Sequence, residues 1–301
     1  MDVLVTGSSG FIGSALLPAL ASAGHRPVRA IRGRAVPTGV DAISWDPEAG
    51  TIDRSALEGL GAVVHLAGSG IGDKRWTAAR RRLILESRTR GTRVLVQALA
   101  TLQRPPQVLV SASAVGYYGS HARDAELTEE SPPGDDFLAD VCVHWEAAAA
   151  PAAAAGIRLV TIRNGIVLGR GGGILGRLLL PFRLGLGGRI GSGEQWMSWI
   201  SLDDEVAAIV HALRTDALRG PANLTAPDPV RNRDFTRALG RVLHRPTFMP
   251  TPLAPLRALY GSELVEDMLL ASQRALPRAL EASGFTFQHA TLEDALRATL
   301  G

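Results

Sequence analysis

Short apolar stretches alternate with amphipathic ones along the first two-thirds of the chain. The apolar stretches are rich in β-branched residues and nearly continuous in apolar character, as is typical of strands buried on both faces. We predict such strands at residues 2–6, 27–32, 62–67, 107–113 and 157–163. Helical periodicity lies between them, near residues 11–23, 77–102 and 137–155. Because strands alternate with helices, the pattern predicts an α/β fold with a doubly wound parallel sheet.

The pattern changes after about residue 170, where a glycine-rich turn is followed by a mixture of short strands and helices. A clear amphipathic helix returns at residues 202–214, and prolines punctuate residues 221–255. We therefore predict a first domain over residues 1–170, to which residues 202–226 return. Residues 171–301 are predicted to form a smaller mixed α/β C-terminal lobe, with a helical end at about 245–301.

The composition excludes several classes of protein. With 46% hydrophobic and 20% charged residues and a lone cysteine, the chain is typical of a globular protein without a disulfide framework. The N-terminus lacks a signal peptide pattern, and Arg177 and Arg183 interrupt the most apolar run, so we expect a cytoplasmic protein without membrane contact. The net charge of +3 suits anionic small molecules. Residues 73–93 are basic but lack interleaved exposed aromatic residues and a known binding motif, so we expect no nucleic acid partner.

A glycine triplet lies between the first predicted strand and the first predicted helix. In this position Gly7 permits a tight turn, Gly10 lets the backbone approach a pyrophosphate, and Gly13 lets the helix pack closely. The helix N-terminus favours the negative charge of the phosphates. The pattern predicts a Rossmann-type dinucleotide-binding domain. Its expected phosphate loop consists of Thr6, Gly7, Ser9, Gly10, Phe11, Ile12 and Gly13.

The end of the second predicted strand bears on the choice of cofactor. It reads Ile31-Arg32-Gly33-Arg34 and carries no acidic residue, which would bind a ribose 2′-hydroxyl. Arginine instead pairs with a 2′-phosphate. We therefore predict NADP(H) in preference to NAD(H), the alternative being that these arginines are only solvated surface charges.

The spacing G-x-x-G-x-x-G after Thr6 resembles that of the extended short-chain dehydrogenases/reductases. Longer motifs are similar to those of the atypical members known as "epimerase family" proteins, which carry a small C-terminal domain of unknown function. The matching segments are GIGDKRW (70–76), ESR (86–88), SASAVGYYG (111–119), RNGIVLGRGGGIL (163–175), residues 181–204 and residues 273–285. The resemblance covers essentially the whole chain. It implies the fold and the cofactor.

The resemblance also implies roles for residues outside the phosphate loop. The residues expected to face the cofactor are Leu66, Ala67, Gly68, Arg88 and Val167. Lys74, Arg75 and Trp76 are expected to border a substrate pocket, where a cationic side chain suits a carboxylate or phosphate. Trp196 and Arg231 are further pocket candidates, although tryptophans in such strands also serve as core residues.

Members of the extended family carry a catalytic Ser or Thr after the fourth main strand and a Tyr-x-x-x-Lys pair on the next helix. Ser113 stands at the first of these positions. Alignment on Glu146 puts Leu138 at the tyrosine and Cys142 at the lysine, so both ionisable groups are missing. Tyr117 or Tyr118 is a candidate replacement acid, and the alternative is that these tyrosines only pack.

The thiol of Cys142 is expected to be a buried, inert group rather than a nucleophile. His144 lies two residues away and faces a different direction on a helix, so no metal site is predicted.

The sequence as a whole predicts an NADP(H)-dependent oxidoreductase or an enzyme resembling a nucleotide-sugar epimerase. Its expected substrate is a small, anionic hydroxyl or carbonyl compound, and its expected chemistry is hydride transfer. The rival hypothesis is a non-catalytic NADPH-binding sensor or partner-binding protein, which the missing Tyr-Lys pair favours.

Overall fold

The computed structural model describes residues 1–33, 36, 39, 41–120 and 124–301. Its strands are β1 (Asp2–Thr6), β2 (Arg26–Arg32), β3 (Ala42–Asp46), β4 (Thr51–Ile52), β5 (Ala62–His65), β6 (Val108–Ala114), β7 (Glu126–Leu127), β8 (Arg158–Asn164), β9 (Ile166–Leu168), β10 (Trp196–Met197), β11 (Trp199–Ser201), β12 (Gly220–Leu224), β13 (Val230–Arg231) and β14 (Arg274–Ala275). Its α-helices are α1 (Phe11–Ser22), α2 (Ala78–Ala100), α3 (Phe137–Ala149), α4 (Pro151–Ala154), α5 (Gly173–Arg183), α6 (Leu202–Arg214), α7 (Asn232–Leu243), α8 (Leu253–Tyr260), α9 (Ser262–Leu264), α10 (Arg278–Ala282) and α11 (Leu292–Leu300). Short 3₁₀ turns lie at Ser55–Leu57 and Val115–Tyr118, and a π-helical turn lies at Val265–Leu269.

The central sheet has the strand order β12-β8-β6-β5-β1-β2-β3-β4. Neighbouring strands are parallel except for the antiparallel pair β3 and β4. The chain starts at β1 and winds first toward β3, and then in the opposite direction from β5 toward β12. The predicted α/β fold with a doubly wound sheet is therefore confirmed. Ligands of such sheets bind at the carboxyl ends of the strands where the winding reverses, which is here between β1 and β5.

Apolar side chains fill both faces of this sheet. Leu16 of α1 and Ile209 of α6 pack on one face, whereas Leu95 and Leu99 of α2 pack on the other. All four side chains have no exposed surface, and burial of each contributes about 1.5–3 kcal/mol. Strands covered on both faces need few polar residues, which explains why the sequence showed them as continuous apolar runs.

Several features within residues 1–170 differ from the prediction. The helix expected over residues 137–155 is divided into α3 and α4, because Pro151 has no N–H to donate within a continuous helix and begins the second one. Strands β3 and β4 were not predicted. In β3 the buried Ile43 and Trp45 alternate with less buried residues, and so short a run gives a weak period-two signal.

The C-terminal residues build a further apolar cluster around β9, β11, α7 and α11. Trp199, Phe235, Leu239 and Leu296 are buried there. Between these elements the chain returns to the central sheet, since β12 pairs with β8 and α6 packs on α1. The division near residue 170 stays a prediction. Within the described residues, none of the helices combines the length and apolar character needed to cross a membrane.

Candidate functional site

The phosphate loop joins β1 to α1 in a conformation that requires glycine. Gly7 has a φ of +67°, and a Cβ added there would lie 2.8 Å from the carbonyl carbon of Leu66. A Cβ added at Gly13 would lie 2.2 Å from the Gly7 oxygen. The N-cap residue Gly10 offers no side chain to the first N–H groups of α1. The loop therefore presents a bare helix N-terminus at the switch point, which fits a pyrophosphate.

Thr6 ties the phosphate loop to the end of β5. Its Oγ1 accepts hydrogen bonds from the backbone N–H groups of Leu66 at 3.1 Å and Ala67 at 3.2 Å, and it contacts His65 Nδ1 at 2.7 Å. On the other side of the ring, His65 Nε2 lies 2.9 Å from Thr92 Oγ1. Thr6 was predicted to lie in the loop, but the sequence did not indicate this buried series of hydrogen bonds.

The hydrogen-bond partners define the state of His65. Thr92 Oγ1 donates its single hydrogen to the Arg88 carbonyl oxygen at 2.7 Å, so it must accept from His65 Nε2. Nδ1 is then the acceptor, and the Thr6 hydroxyl donates to it. Burial lowers the pKa of His65 to about 4, which keeps the ring neutral.

The carboxyl end of β2 carries the residues predicted to select the cofactor. Ile31 is half-buried, whereas Arg32 is exposed and its side chain forms no hydrogen bond or ion pair with the described residues. Arg34 lies outside the described residues. Arg29 was not predicted, but its Nε donates to Ser8 Oγ in the phosphate loop at 3.3 Å. Its signal in the sequence was its period-two spacing from Ile31, which puts both on the loop side of β2.

Ser113 lies at the carboxyl end of β6 and hydrogen-bonds to α3. Its hydroxyl donates to Glu146 Oε1 at 2.7 Å, and Ser113 is only 2% exposed. Arg163 of β8 donates from Nε to Oε1 and from Nη2 to Oε2 of Glu146, both at 2.9 Å. This bidentate pair is nearly buried and fixes the carboxylate that holds Ser113. The sequence identified Ser113, but it did not indicate Arg163, because only the pairing of β6 with β8 brings the two residues side by side.

The two tyrosines after Ser113 have different environments. Tyr118 has no exposed surface, its hydroxyl donates to Asn223 Oδ1 at 2.6 Å, and burial raises its pKa to about 12. It also accepts a hydrogen bond from Arg163. Tyr118 is therefore not suited to donate a proton to a substrate. Tyr117 is half-buried under the Arg163 guanidinium, 3.5 Å from its ring centroid, and its hydroxyl bonds to none of the described residues.

The helical stripe of Leu138, Cys142 and Glu146 faces the turn after β6. A Cβ added at Gly116 would lie 3.5 Å from Leu138 Cβ and 3.8 Å from Cys142 Sγ. Burial, with the Glu146 charge as a second cause, raises the pKa of the Cys142 thiol to about 12. Such a thiol stays protonated, in agreement with a packing role. No group of three His, Cys, Asp or Glu residues suited to a metal occurs within the described ranges.

Arg88 projects from α2 toward the loop after β5. Its Nη1 donates to the carbonyl oxygens of Ser69 at 2.9 Å and Ile84 at 3.1 Å. A Cβ added at Gly68 would lie 3.2 Å from the guanidinium carbon, so glycine leaves the room that Arg88 fills. Leu66 and Ala67 border the same turn and are half-buried.

The segment GIGDKRW forms the loop between β5 and α2. Trp76 is buried and donates from Nε1 to the Ile71 carbonyl oxygen at 3.0 Å, so it supports the loop. Lys74 is exposed and is the only lysine in the chain. Arg75 is also exposed and lies against Gly261 of the C-terminal part. Arg177 of α5 holds Asp73 at 2.8 Å, which attaches the loop to the C-terminal residues.

Trp196 and Arg231 form a separate group on the paired strands β10 and β13. The guanidinium of Arg231 stacks 4.5 Å from the Trp196 ring centroid, and both side chains hydrogen-bond to Asp124. Arg231 also pairs with Glu194, so its charge is already compensated. Val167 is buried in β9 under the glycine-rich turn that covers Phe11. These residues share no hydrogen bond or ion pair with the Ser113 network among the described residues.

Comparison with known proteins gives consistent matches over the whole chain. The NAD dependent epimerase/dehydratase family matches residues 3–224, and the domain of unknown function DUF1731 matches residues 251–299. The epimerase family protein Mb2239 of Mycobacterium bovis is 45% identical over 294 residues, which cover 98% of this chain and 96% of that protein.

Solved structures of similar proteins include one with a bound cofactor. The human epimerase family protein SDR39U1 (isoform 2), solved with NADPH, is 36% identical, with a TM-score of 0.89 and 99% coverage of each chain. The nucleoside-diphosphate sugar epimerase from Corynebacterium glutamicum is also 36% identical, with a TM-score of 0.82, over 100% of this chain and 58% of that one.

Proposed function

Because the chain belongs to the NAD-dependent epimerase/dehydratase family, we propose that it binds NADP(H) and transfers hydride to or from a small hydroxyl or carbonyl compound. The observation that carries this proposal is the phosphate loop. The contacts at Gly7 and Gly13 leave room only for glycine, and the N-terminus of α1, which has no side-chain cap, lies at the crevice. The NADPH in the human relative agrees with it.

Residues of the described chain fit the pyrophosphate and the 2′-phosphate of the cofactor. The N–H groups at the start of α1 would hold the pyrophosphate, and the exposed Arg32 would pair with the 2′-phosphate. When bound, NADPH supplies the hydride. No acidic residue stands at the end of β2 to bind a 2′-hydroxyl instead.

The Ser113–Glu146 hydrogen bond determines which group of the substrate Ser113 can bind. Since Ser113 donates its hydrogen to Glu146, its lone pairs are left to accept a hydrogen bond from a substrate hydroxyl. Ser113 is 2% exposed, so a substrate reaches this oxygen only after a change of conformation. Tyr117, whose hydroxyl is uncommitted among the described residues, would exchange the proton with the substrate oxygen.

The substrate itself is proposed to be anionic. Lys74 and Arg75 are exposed at the loop that joins β5 to α2, beside the cofactor crevice. Neither forms an ion pair with the described carboxylates, so both charges are available to a carboxylate or phosphate. Trp196 and Arg231 are less suited to this role, since Asp124 and Glu194 already compensate the Arg231 charge.

A second candidate function is NADPH sensing without turnover. The observation in its favour is that Leu138 and Cys142 stand where the family has its tyrosine and lysine, while the remaining acid of that stripe, Glu146, is held by Ser113 and Arg163. Both functions require cofactor binding, and they differ in whether substrate is consumed.

A screen of small anionic carbonyl and hydroxyl compounds, with NADPH absorbance as the readout, tests the two candidates. Turnover by the wild type that falls at least about a hundredfold in Ser113→Ala and in Tyr117→Phe supports the enzyme. Turnover that survives both changes contradicts the roles of these residues. NADPH binding without any turnover supports the sensor.

Gly10→Ala tests the phosphate loop, because a Cβ there would lie 3.1 Å from the Gly7 oxygen, on the anion side of the loop. The expected result is weaker NADPH binding with an unchanged fold. Gly176→Ala is the matched control, since the nearest atom to its added Cβ is 3.8 Å away.

A further inference from the structure

The exposed apolar side chains are concentrated in the C-terminal part of the chain. Those of Leu180, Leu184, Leu186, Phe248 and Met249 are each more than half exposed, and we call these residues the apolar patch. Among the other large apolar side chains of the described residues, only that of Leu259 is exposed to this degree. Exposed apolar surface that gathers in one place on a folded protein marks a site of interaction.

The apolar patch is built by two segments that pack side by side. The first comprises the end of α5 and the loop after it, and the second joins α7 to α8. Arg245 Nε donates to the Arg183 carbonyl oxygen at 2.8 Å, and the Thr251 hydroxyl donates to the Gly188 carbonyl oxygen at 3.1 Å. Gly188 also leaves no room for a Cβ beside the Met249 carbonyl group. The two segments therefore form one surface.

The core of the C-terminal part does not use the apolar patch. In α5 the side chains of Leu175 and Phe182 are buried, in one cluster with Phe235 and Leu239 of α7. Leu180 lies two positions before Phe182, which is about half a turn of helix, and therefore faces away from that cluster. Polar substitutions in the apolar patch should leave the fold intact.

The charges carried by the two segments are all of one sign. Residues 171–193 and 235–262 contain three and four arginines, respectively, and no aspartate or glutamate. Arg183, Arg189 and Arg245 are exposed beside the apolar patch, and none of them forms an ion pair with a carboxylate of the described residues. These charges are therefore available to an anionic partner.

Exposed apolar side chains beside unpaired arginines favour an anionic membrane as the partner. A membrane interface takes apolar side chains among its acyl chains, and its anionic headgroups attract arginine. A uniformly anionic surface repels carboxylates over the whole contact area, and both segments lack them. An acidic protein segment needs cations only opposite its own charges. A second copy in a two-fold contact would bring the same arginines face to face, which is repulsive.

We propose that the apolar patch and the arginines beside it form a peripheral docking surface for an anionic membrane. The apolar side chains enter the boundary between headgroups and acyl chains, and Arg183, Arg189 and Arg245 pair with the anionic groups of the lipids. Such a contact needs no spanning segment. It differs from the expectation of no membrane contact, which followed from the arginines that interrupt the most apolar run.

Co-sedimentation with lipid vesicles tests this surface. The wild type should bind vesicles of equal parts phosphatidylcholine and phosphatidylserine but not vesicles of phosphatidylcholine alone, and added salt should weaken the binding. Leu184→Ser/Phe248→Ser should weaken it at least about tenfold, because less apolar surface leaves water. Arg183→Gln/Arg189→Gln should weaken it about tenfold to thirtyfold, because two charges near the headgroups are lost.

Two changes on α2 are the matched controls. Leu83→Ser replaces an exposed leucine, and Arg90→Gln/Arg93→Gln removes two exposed arginines. Both controls should bind vesicles as the wild type does, and all four variants should keep the wild-type midpoint of urea unfolding. An equal loss in the controls, or no loss in the variants of the docking surface, would overturn its role.

The behaviour of the wild type separates the membrane from other partners. Binding to phosphatidylcholine alone that is as tight as binding to the mixed vesicles would overturn the role of the arginines. A protein that binds polyglutamate through this surface but neither kind of vesicle docks an acidic protein segment instead. An oligomer that binds no vesicles and dissociates in Leu184→Ser/Phe248→Ser, seen by sedimentation velocity, covers the surface with a second copy. Either result, or a monomer that binds none of these probes, would contradict membrane docking.

Discussion

Glu146 receives the hydroxyl hydrogen of Ser113 at 2.7 Å and the two nitrogens of Arg163 at 2.9 Å. The Glu146 and Arg163 side chains are 17% and 4% exposed, so their charges are poorly solvated. Glu146→Gln leaves the Arg163 charge uncompensated. We expect the free energy of unfolding, measured in urea, to fall by about 3–5 kcal/mol.

Two controls belong to that prediction. Glu266→Gln removes an exposed partner of Arg257 and should cost about 1 kcal/mol or less. The double variant Glu146→Met/Arg163→Met removes both buried charges and should recover much of the loss. If the Glu146→Gln protein is as stable as the Glu266→Gln protein, Glu146 and Arg163 do not form a buried ion pair.

Arg32→Ala tests the choice of cofactor. Removal of a charged contact to the 2′-phosphate should weaken NADPH binding about tenfold to a hundredfold. NADH lacks that phosphate, so its affinity should change by less than about twofold. Fluorescence titration of the five tryptophans gives both affinities. If NADPH binding is unchanged, Arg32 is only a solvated surface charge.

His65 gives the stability a dependence on pH. Its pKa in the folded protein is about 4, below the ordinary value of 6.5, so the unfolded chain binds more protons between these values. The contribution of His65 is complete above pH 6.5 and is lost as the pH falls toward 4. The destabilisation by His65→Gln should therefore be about 2 kcal/mol smaller at pH 5 than at pH 7. A pH-independent difference would show that His65 is not buried and neutral.

Glu205 of α6 should give the stability the opposite dependence on pH, so that the protein becomes less stable as the pH rises. It is fully buried, neither carboxylate oxygen has a hydrogen-bond partner among the described residues, and burial raises its pKa to about 8 from 4.5. The folded protein therefore binds more protons than the unfolded chain between these values, and stability falls as the pH rises through them. Glu205→Gln should stabilise the protein by about 3 kcal/mol more at pH 7.5 than at pH 5. Glu130→Gln, an exposed change, should show no such difference.

The sequence predicted the parts of the fold whose signals are local. Helix α6 matches its prediction at both ends, and β1, β6 and β8 match within one residue, because caps and long apolar runs mark them. Pro151 marks the break between α3 and α4 that the alanine-rich pattern concealed.

Contacts between residues that are far apart along the chain could not be predicted from the sequence. Arg163 and Glu146 are 17 residues apart on different elements, and the Tyr118 hydroxyl meets Asn223 across 105 residues. Such contacts depend on strand order, which the sequence did not define. For the same reason the sequence did not distinguish Tyr118 from Tyr117 as the candidate acid, whereas the fold shows that Tyr118 is fully buried.

The affinity of the purified protein for NADPH and NADH, measured side by side at fixed salt, tests the central claim most directly. Binding of NADPH at least about tenfold tighter than NADH is expected from the phosphate loop together with Arg32. Equal or tighter binding of NADH would contradict the role of Arg32, and no binding of either nucleotide would contradict the proposed function.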